Sequence, residues 1–151
     1  MSREDGEDST RLLQTCIDHE TLVFECLVYM PTAFVRYKEN TYEGIKWCRA
    51  ARLSPPKERN VLSKTSAAQA QQEFDLQAEE YMRMCESGVG YRTYKTHPER
   101  MDIVEKACEH LPHCITTAVK THSFMFADSP FNRTICQAMQ DPTSREVCLN
   151  A

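Results

Sequence analysis

Cys108, His110, His113 and Cys114 put two thiols and two imidazoles into one short stretch of chain, broken only by Glu109, Leu111 and Pro112. Thiolate sulfur and imidazole nitrogen are the ligands zinc prefers. The spacing matches no common zinc pattern, and Pro112 restricts how the four side chains could converge. Two half-cystines flanked by surface histidines is the preferred reading, so no metal site is assigned. The other thiols are Cys16, Cys26, Cys48, Cys85, Cys136 and Cys148, making eight in 151 residues. None belongs to a Cys-x-x-Cys pair, the arrangement that dithiol redox catalysis uses. Nothing selects one of the five histidines as the base for a cysteine nucleophile. No glycine-rich phosphate loop is present, and the carboxylates are scattered. The chain is therefore expected to be no enzyme and to hold no cofactor, with all eight cysteines as disulfide candidates.

Helices must position those cysteines. Glycine is scarce, at four residues, which suits a helical chain better than a turn-rich knot. In the stretch 11–30, Leu12, Cys16, His19, Val23, Cys26 and Met30 recur at steps of four and three and form one seam. Pro31 is expected to stop this helix, and His19 to lie in the core or an interface. A second helix over 32–53 repeats the spacing through Ile45 and Cys48, making an antiparallel hairpin over 11–53. Ser54-Pro55-Pro56 opens a linker over 54–66. A long Ala-, Gln- and Glu-rich helix follows to residue 86, and Gly88-Val89-Gly90 is expected to end it, with a loop over 91–97. Thr96-His97-Pro98-Glu99 reads as a capping box. Pro112, Ser129-Pro130 and Asp141-Pro142 each restart the chain, the last two ahead of Cys136 and Cys148. The expected fold is all-α, with five to seven helices in antiparallel hairpins cross-linked by disulfides. Residues 1–10 form an acidic tail, and 67–151 form one compact unit with the hairpin.

This layout makes specific demands on the cysteines. On one unbroken helix Cys16 and Cys26 stand about 15 Å apart along the axis. A disulfide needs Cα atoms within roughly 7 Å. The two are therefore expected to reach other helices. Cys16 and Cys48 lie at nearly equal distances on either side of Pro31, so Cys16–Cys48 is the expected bond. Cys114 and Cys148 are related in the same way about Ser129. Cys26, Cys85, Cys108 and Cys136 stay unassigned.

Leu12-Leu13-Gln14-Thr15-Cys16, nine residues and then Cys26 resemble half of the coiled-coil-helix-coiled-coil-helix pattern. Proteins of that family carry two Cys-x9-Cys helices cross-linked as a hairpin. They reach the mitochondrial intermembrane space without a cleaved leader and are trapped there by oxidation. The second helix here supplies only Cys48, and Cys136 and Cys148 are eleven residues apart, with Asp141-Pro142 between them. The family's disulfide pattern is accordingly not carried over. The resemblance implies a non-catalytic accessory subunit of a mitochondrial membrane complex, a respiratory complex or the ATP synthase, facing the intermembrane space. Its partners would be the other subunits of that membrane-associated assembly.

Composition agrees with a protein partner. A net charge of −4 and a pI near 5.7 argue against nucleic acid. No apolar run approaches the ~18 residues of a membrane span. Glu4, Asp5, Glu7 and Asp8 are foreign to a transit peptide, and residues 1–10 contain no signal-peptide core. The alternative is a secreted disulfide-rich helical binding protein for a lipid or a receptor, to which the Asn132-Arg133-Thr134 sequon adds support. Phe124-Met125-Phe126 points apolar side chains in several directions around a helix, more than one face can bury, and so suggests a partner surface.

Overall fold

In the computed structural model, the described residues are 3–19, 21–37, 40–56 and 67–151. They form seven α-helices and two 3₁₀ segments, with no strand among them. In chain order these are α1 (Arg3–Asp18), α2 (Val23–Tyr37), a 3₁₀ turn (Thr41–Glu43), α3 (Gly44–Ala50), α4 (Ala67–Thr96), α5 (Met101–Ala107), α6 (Pro112–Met125), a 3₁₀ helix (Arg133–Ala138) and α7 (Pro142–Asn150). The fold is all-α and disulfide cross-linked. The linker expected over 54–66 lies outside the described residues from position 57 onward.

The bonds join each cysteine to the next one in the chain: Cys16–Cys26, Cys48–Cys85, Cys108–Cys114 and Cys136–Cys148. This corrects both expected pairings, Cys16–Cys48 and Cys114–Cys148. The cause is a chain reversal inside the stretch read as one helix. α1 ends at Asp18, Leu22 takes a left-handed φ of 57°, and α2 begins at Val23. The reversal brings the Cα atoms of Cys16 and Cys26 to 5.6 Å. His19, expected on the seam, is exposed at this turn. Tightness elsewhere follows the same logic. Glu109 and His110, both at positive φ, reverse the chain between α5 and α6 and let Cys108 meet Cys114. In the chain-entropy account, closing the 37-residue span of Cys48–Cys85 stabilises by about 4 kcal/mol, and the 6-residue span of Cys108–Cys114 by about 2.

Pro31 lies inside α2 rather than ending it. The expected second helix is divided at the 3₁₀ turn, and only Gly44–Ala50 continues as α3. The acidic start of the chain is not a free tail: Arg3–Thr10 belong to α1. Ser9 is fully buried there, and the Thr10 hydroxyl accepts from the Arg52 backbone N–H at 2.9 Å. Gln14 bonds both the N–H and the carbonyl of Ser54 at 2.9 Å, tying the segment after α3 to α1.

α4 is the central element, with α2 and α6 as its principal neighbours. Gly88 and Gly90 do not end it, and residues 91–96 are helical rather than a loop. Two positions apart on a helix, the glycines face nearly opposite sides. A Cβ on Gly88 would overlap the Val28 carbonyl of α2, and one on Gly90 the Cys114 carbonyl of α6. Their absent side chains let both neighbours approach the backbone. The capping box is not used either. The Thr96 hydroxyl bonds the Arg92 carbonyl at 2.9 Å, and α5 starts only at Met101. α6 runs parallel to α4, as successive contacts Glu86–His113 and Tyr94–His122 establish. The core holds Trp47, Leu13, Leu27, Ile45, Val89, Met101, Ile115 and Met139, with Phe34 stacked on Trp47 at 5.4 Å.

Candidate interaction surface

All eight cysteines are consumed by disulfides, so none is available as a thiolate nucleophile or ligand. The soft-ligand cluster is dispersed as well. Cys108 and Cys114 bond each other. An imidazole N–H of His113 donates to Glu86 at 2.6 Å, while His110 turns toward Ser144 at 3.2 Å. A different group does converge: ligand-type atoms of Glu105, His110 and Asp141 lie within 4.8 Å of one another. Its carboxylates already serve the backbone. Glu105 accepts from the N–H groups of Gln140 and Asp141 at 2.8 and 2.7 Å, and Asp141 caps α7 through the Ser144 N–H at 2.7 Å.

Glu86 is the centre of the buried ionic chemistry. It is 5% exposed and accepts from Arg49 at 2.9 Å as well as from His113. Arg49 also reaches Glu109 at 3.5 Å. Burial works to raise the Glu86 pKa, but the hydrogen bonds and charges of His113 and Arg49 prevail and hold the carboxyl below its ordinary value. Each member is adjacent in sequence to a cysteine: Cys48-Arg49, Cys85-Glu86, Cys108-Glu109 and His113-Cys114. The ion-pair chain and the Cys48–Cys85 and Cys108–Cys114 bonds thus lock one helix register.

The apolar run at the end of α6 is the outstanding surface feature. Residues 123–130 are all exposed, and Phe124 is 85% exposed, the most of any large hydrophobic side chain among the described residues. Met125 and Phe126 flank it, at 37% and 40%. A buried clip supports this knuckle. The His122 Nε2–H donates to the Ser129 carbonyl at 2.9 Å, which leaves Nδ1 to accept the Tyr94 hydroxyl at 2.8 Å. Phe126 and Phe131 pack on the same imidazole at ring distances of 5.1 and 5.5 Å. Burial pushes the Tyr94 phenol above its ordinary pKa, against a smaller opposing hydrogen bond from the Glu99 backbone. The clip fixes the segment after α6 while its apolar side chains stand in solvent.

Smaller features complete the surface. Leu22, just ahead of α2, and Phe24 and Tyr29 within it are more than half exposed, with Tyr29 edge-on to Tyr91 at 5.4 Å. An open groove of about 480 Å³ lies between α6 and α7, floored by Thr116, Lys120, Thr143 and Val147. Asn132 is exposed just ahead of the second 3₁₀ segment. Among the described residues no helix is long and apolar enough to cross a membrane.

Sequence patterns identified Phe124-Met125-Phe126, but not Tyr94, His122, Arg49 or Glu86. Tyr94 falls in a segment that reads as a loop. The partners of Glu86 come from α3 and α6, which no local spacing connects. The class that fold and surface define is an all-α, disulfide cross-linked protein with an exposed apolar knuckle. No family model matches the chain, and no curated protein or solved structure is significantly similar to it.

Proposed function

We propose that this protein is a non-catalytic, disulfide-stapled helical scaffold that binds a partner protein through the Phe124-Met125-Phe126 knuckle. The observation that carries this reading is the knuckle on its buried clip. Solvent-exposed aromatic and methionine side chains are costly to leave in water and are enriched at interfaces. Here Tyr94, His122 and Ser129 hold the adjoining loop in one shape, so a partner meets a preorganised surface. The engagement of the cysteines and most histidines in structural bonds supports the non-catalytic part.

Four disulfides fit an oxidising compartment. One specific observation favours the secreted binding protein over the mitochondrial subunit. Cys16 and Cys26 close on each other, so the Cys-x9-Cys segment makes its own hairpin instead of half of a cross-linked helix pair. The second reading is an accessory subunit of a respiratory complex or the ATP synthase facing the intermembrane space. Its support is the amount of apolar surface awaiting a neighbour, both on the knuckle and at Leu22, Phe24 and Tyr29.

Native purification followed by chemical cross-linking and mass spectrometry tests the binding role. The wild type should recover a stoichiometric partner cross-linked near α6. The double variant Phe124→Ser, Met125→Ser should keep its four disulfides and helical signal and lose that partner. Recovery of the wild type as a lone monomer, or undiminished capture by the variant, overturns the reading.

A further inference from the structure

Asn132-Arg133-Thr134 has no part in the scaffold role, yet its local structure is specific. All three residues are exposed. Asn132 is outside the 3₁₀ helix, on extended backbone with φ −80° and ψ 100°. Its side-chain oxygen accepts from the Thr134 N–H at 3.1 Å and from the Thr134 hydroxyl at 2.7 Å. Both bonds end on the oxygen, so the amide nitrogen is left without a partner among the described residues. The backbone beneath is pinned from the other side, because the Arg133 side chain donates to the Leu149 carbonyl at 2.9 Å. An exposed asparagine on irregular backbone, closed by the hydroxyl residue of its own triplet, has what an oligosaccharide acceptor requires.

We propose that Asn132 carries an N-linked glycan, an inference that rests on the secretory reading above. In the transfer, the Asn132 amide nitrogen bonds the anomeric carbon of a lipid-linked oligosaccharide. The bond from that carbon to the donor's pyrophosphate oxygen breaks and its electron pair leaves with the phosphate. The nitrogen gives up one proton. The glycan then flanks the knuckle. Phe131, next to Asn132, packs edge-on to His122, which in turn contacts Phe126. A hydrophilic chain at this place shields one side of the apolar surface and restricts the direction from which a partner approaches.

The test expresses the full chain behind a cleavable secretory leader in eukaryotic cells, with lysate and medium both analysed. Treatment with a peptide-N-glycanase should increase the mobility of the wild type and leave Asp at position 132 by peptide mass spectrometry. Asn132→Gln and Thr134→Ala should run at the deglycosylated position without treatment, whereas Thr134→Ser should retain the shift. Wild-type protein that passes through the secretory pathway with Asn132 unmodified overturns the proposal. A separate arm expresses the complete natural reading frame with a C-terminal tag. Its recovery from mitochondria overturns the secretory reading, and the leader-driven arm still decides whether Asn132 is an acceptor.

Discussion

Between Ala68 and Glu80, α4 buries only Phe74, while between Cys85 and Tyr94 the same helix buries Cys85, Glu86, Gly88, Val89, Gly90, Thr93 and Tyr94. The first stretch is built from Ala, Gln and Glu, which favour a helix whatever surrounds them. The second contains two glycines, which disfavour one, and stays helical because α2 and α6 pack on it. One half therefore depends on local preference and the other on fit. A given substitution should have different, even opposite, consequences in the two halves.

The largest expected effect inverts the usual order of helix formers. Alanine is favoured over glycine by about 1 kcal/mol in a helix interior. Gly88→Ala should nonetheless destabilise by about 3 kcal/mol, because its Cβ would enter the Val28 carbonyl. Urea unfolding of the oxidised protein measures this, and a net gain in stability would mean that α2 can withdraw at no cost.

Glu86→Gln tests the ionic part of the packed half. It should cost about 2 kcal/mol at neutral pH through weakened charge-assisted hydrogen bonds with Arg49 and His113. Since the folded pKa of Glu86 lies below its ordinary value of 4.5, its contribution is complete above that value. It fades as pH falls through the lower, folded value. The stabilities of wild type and variant should therefore converge on acidification, and a gap that stays constant with pH would remove the carboxylate from the explanation. The smallest effect belongs to the exposed half: Gln72→Gly should cost about 1 kcal/mol by propensity alone, with unaltered disulfides. A much larger loss in thermal unfolding would show that this stretch also leans on neighbours.

The same contrast explains what could be read from the chain. Helix starts at Pro112 and Pro142 were legible because proline at the first turn and an Asp cap act within a few residues, and Asp141 does bond the Ser144 N–H. The reversal between α1 and α2 was not, since no glycine or proline stands between Asp18 and Val23 in the sequence and Leu22 adopts a conformation that its side chain disfavours. Missing that turn paired Cys16 with Cys48 and left Cys26 without a partner. Gly88 and Gly90 carried a local stop signal whose meaning depends on the helices opposite. For the candidate site, the apolar run announced itself, whereas its support could not. Tyr94 and His122 are 28 residues apart and meet only because α4 and α6 lie side by side.

The consecutive pairing of the cysteines bears on how the chain matures. A polypeptide threaded N-terminus first through a membrane pore releases Cys26 to Cys16 before any rival thiol has emerged. Once that bond closes, Cys48 waits for Cys85, then Cys108 meets Cys114, and Cys136 meets Cys148. In that order of arrival each thiol would meet its native partner before any other. Only Cys48 has a long wait, and its neighbour Arg49 finds Glu86 directly after Cys85. Oxidation can thus follow the chain as it emerges, with little need for an isomerase to correct it.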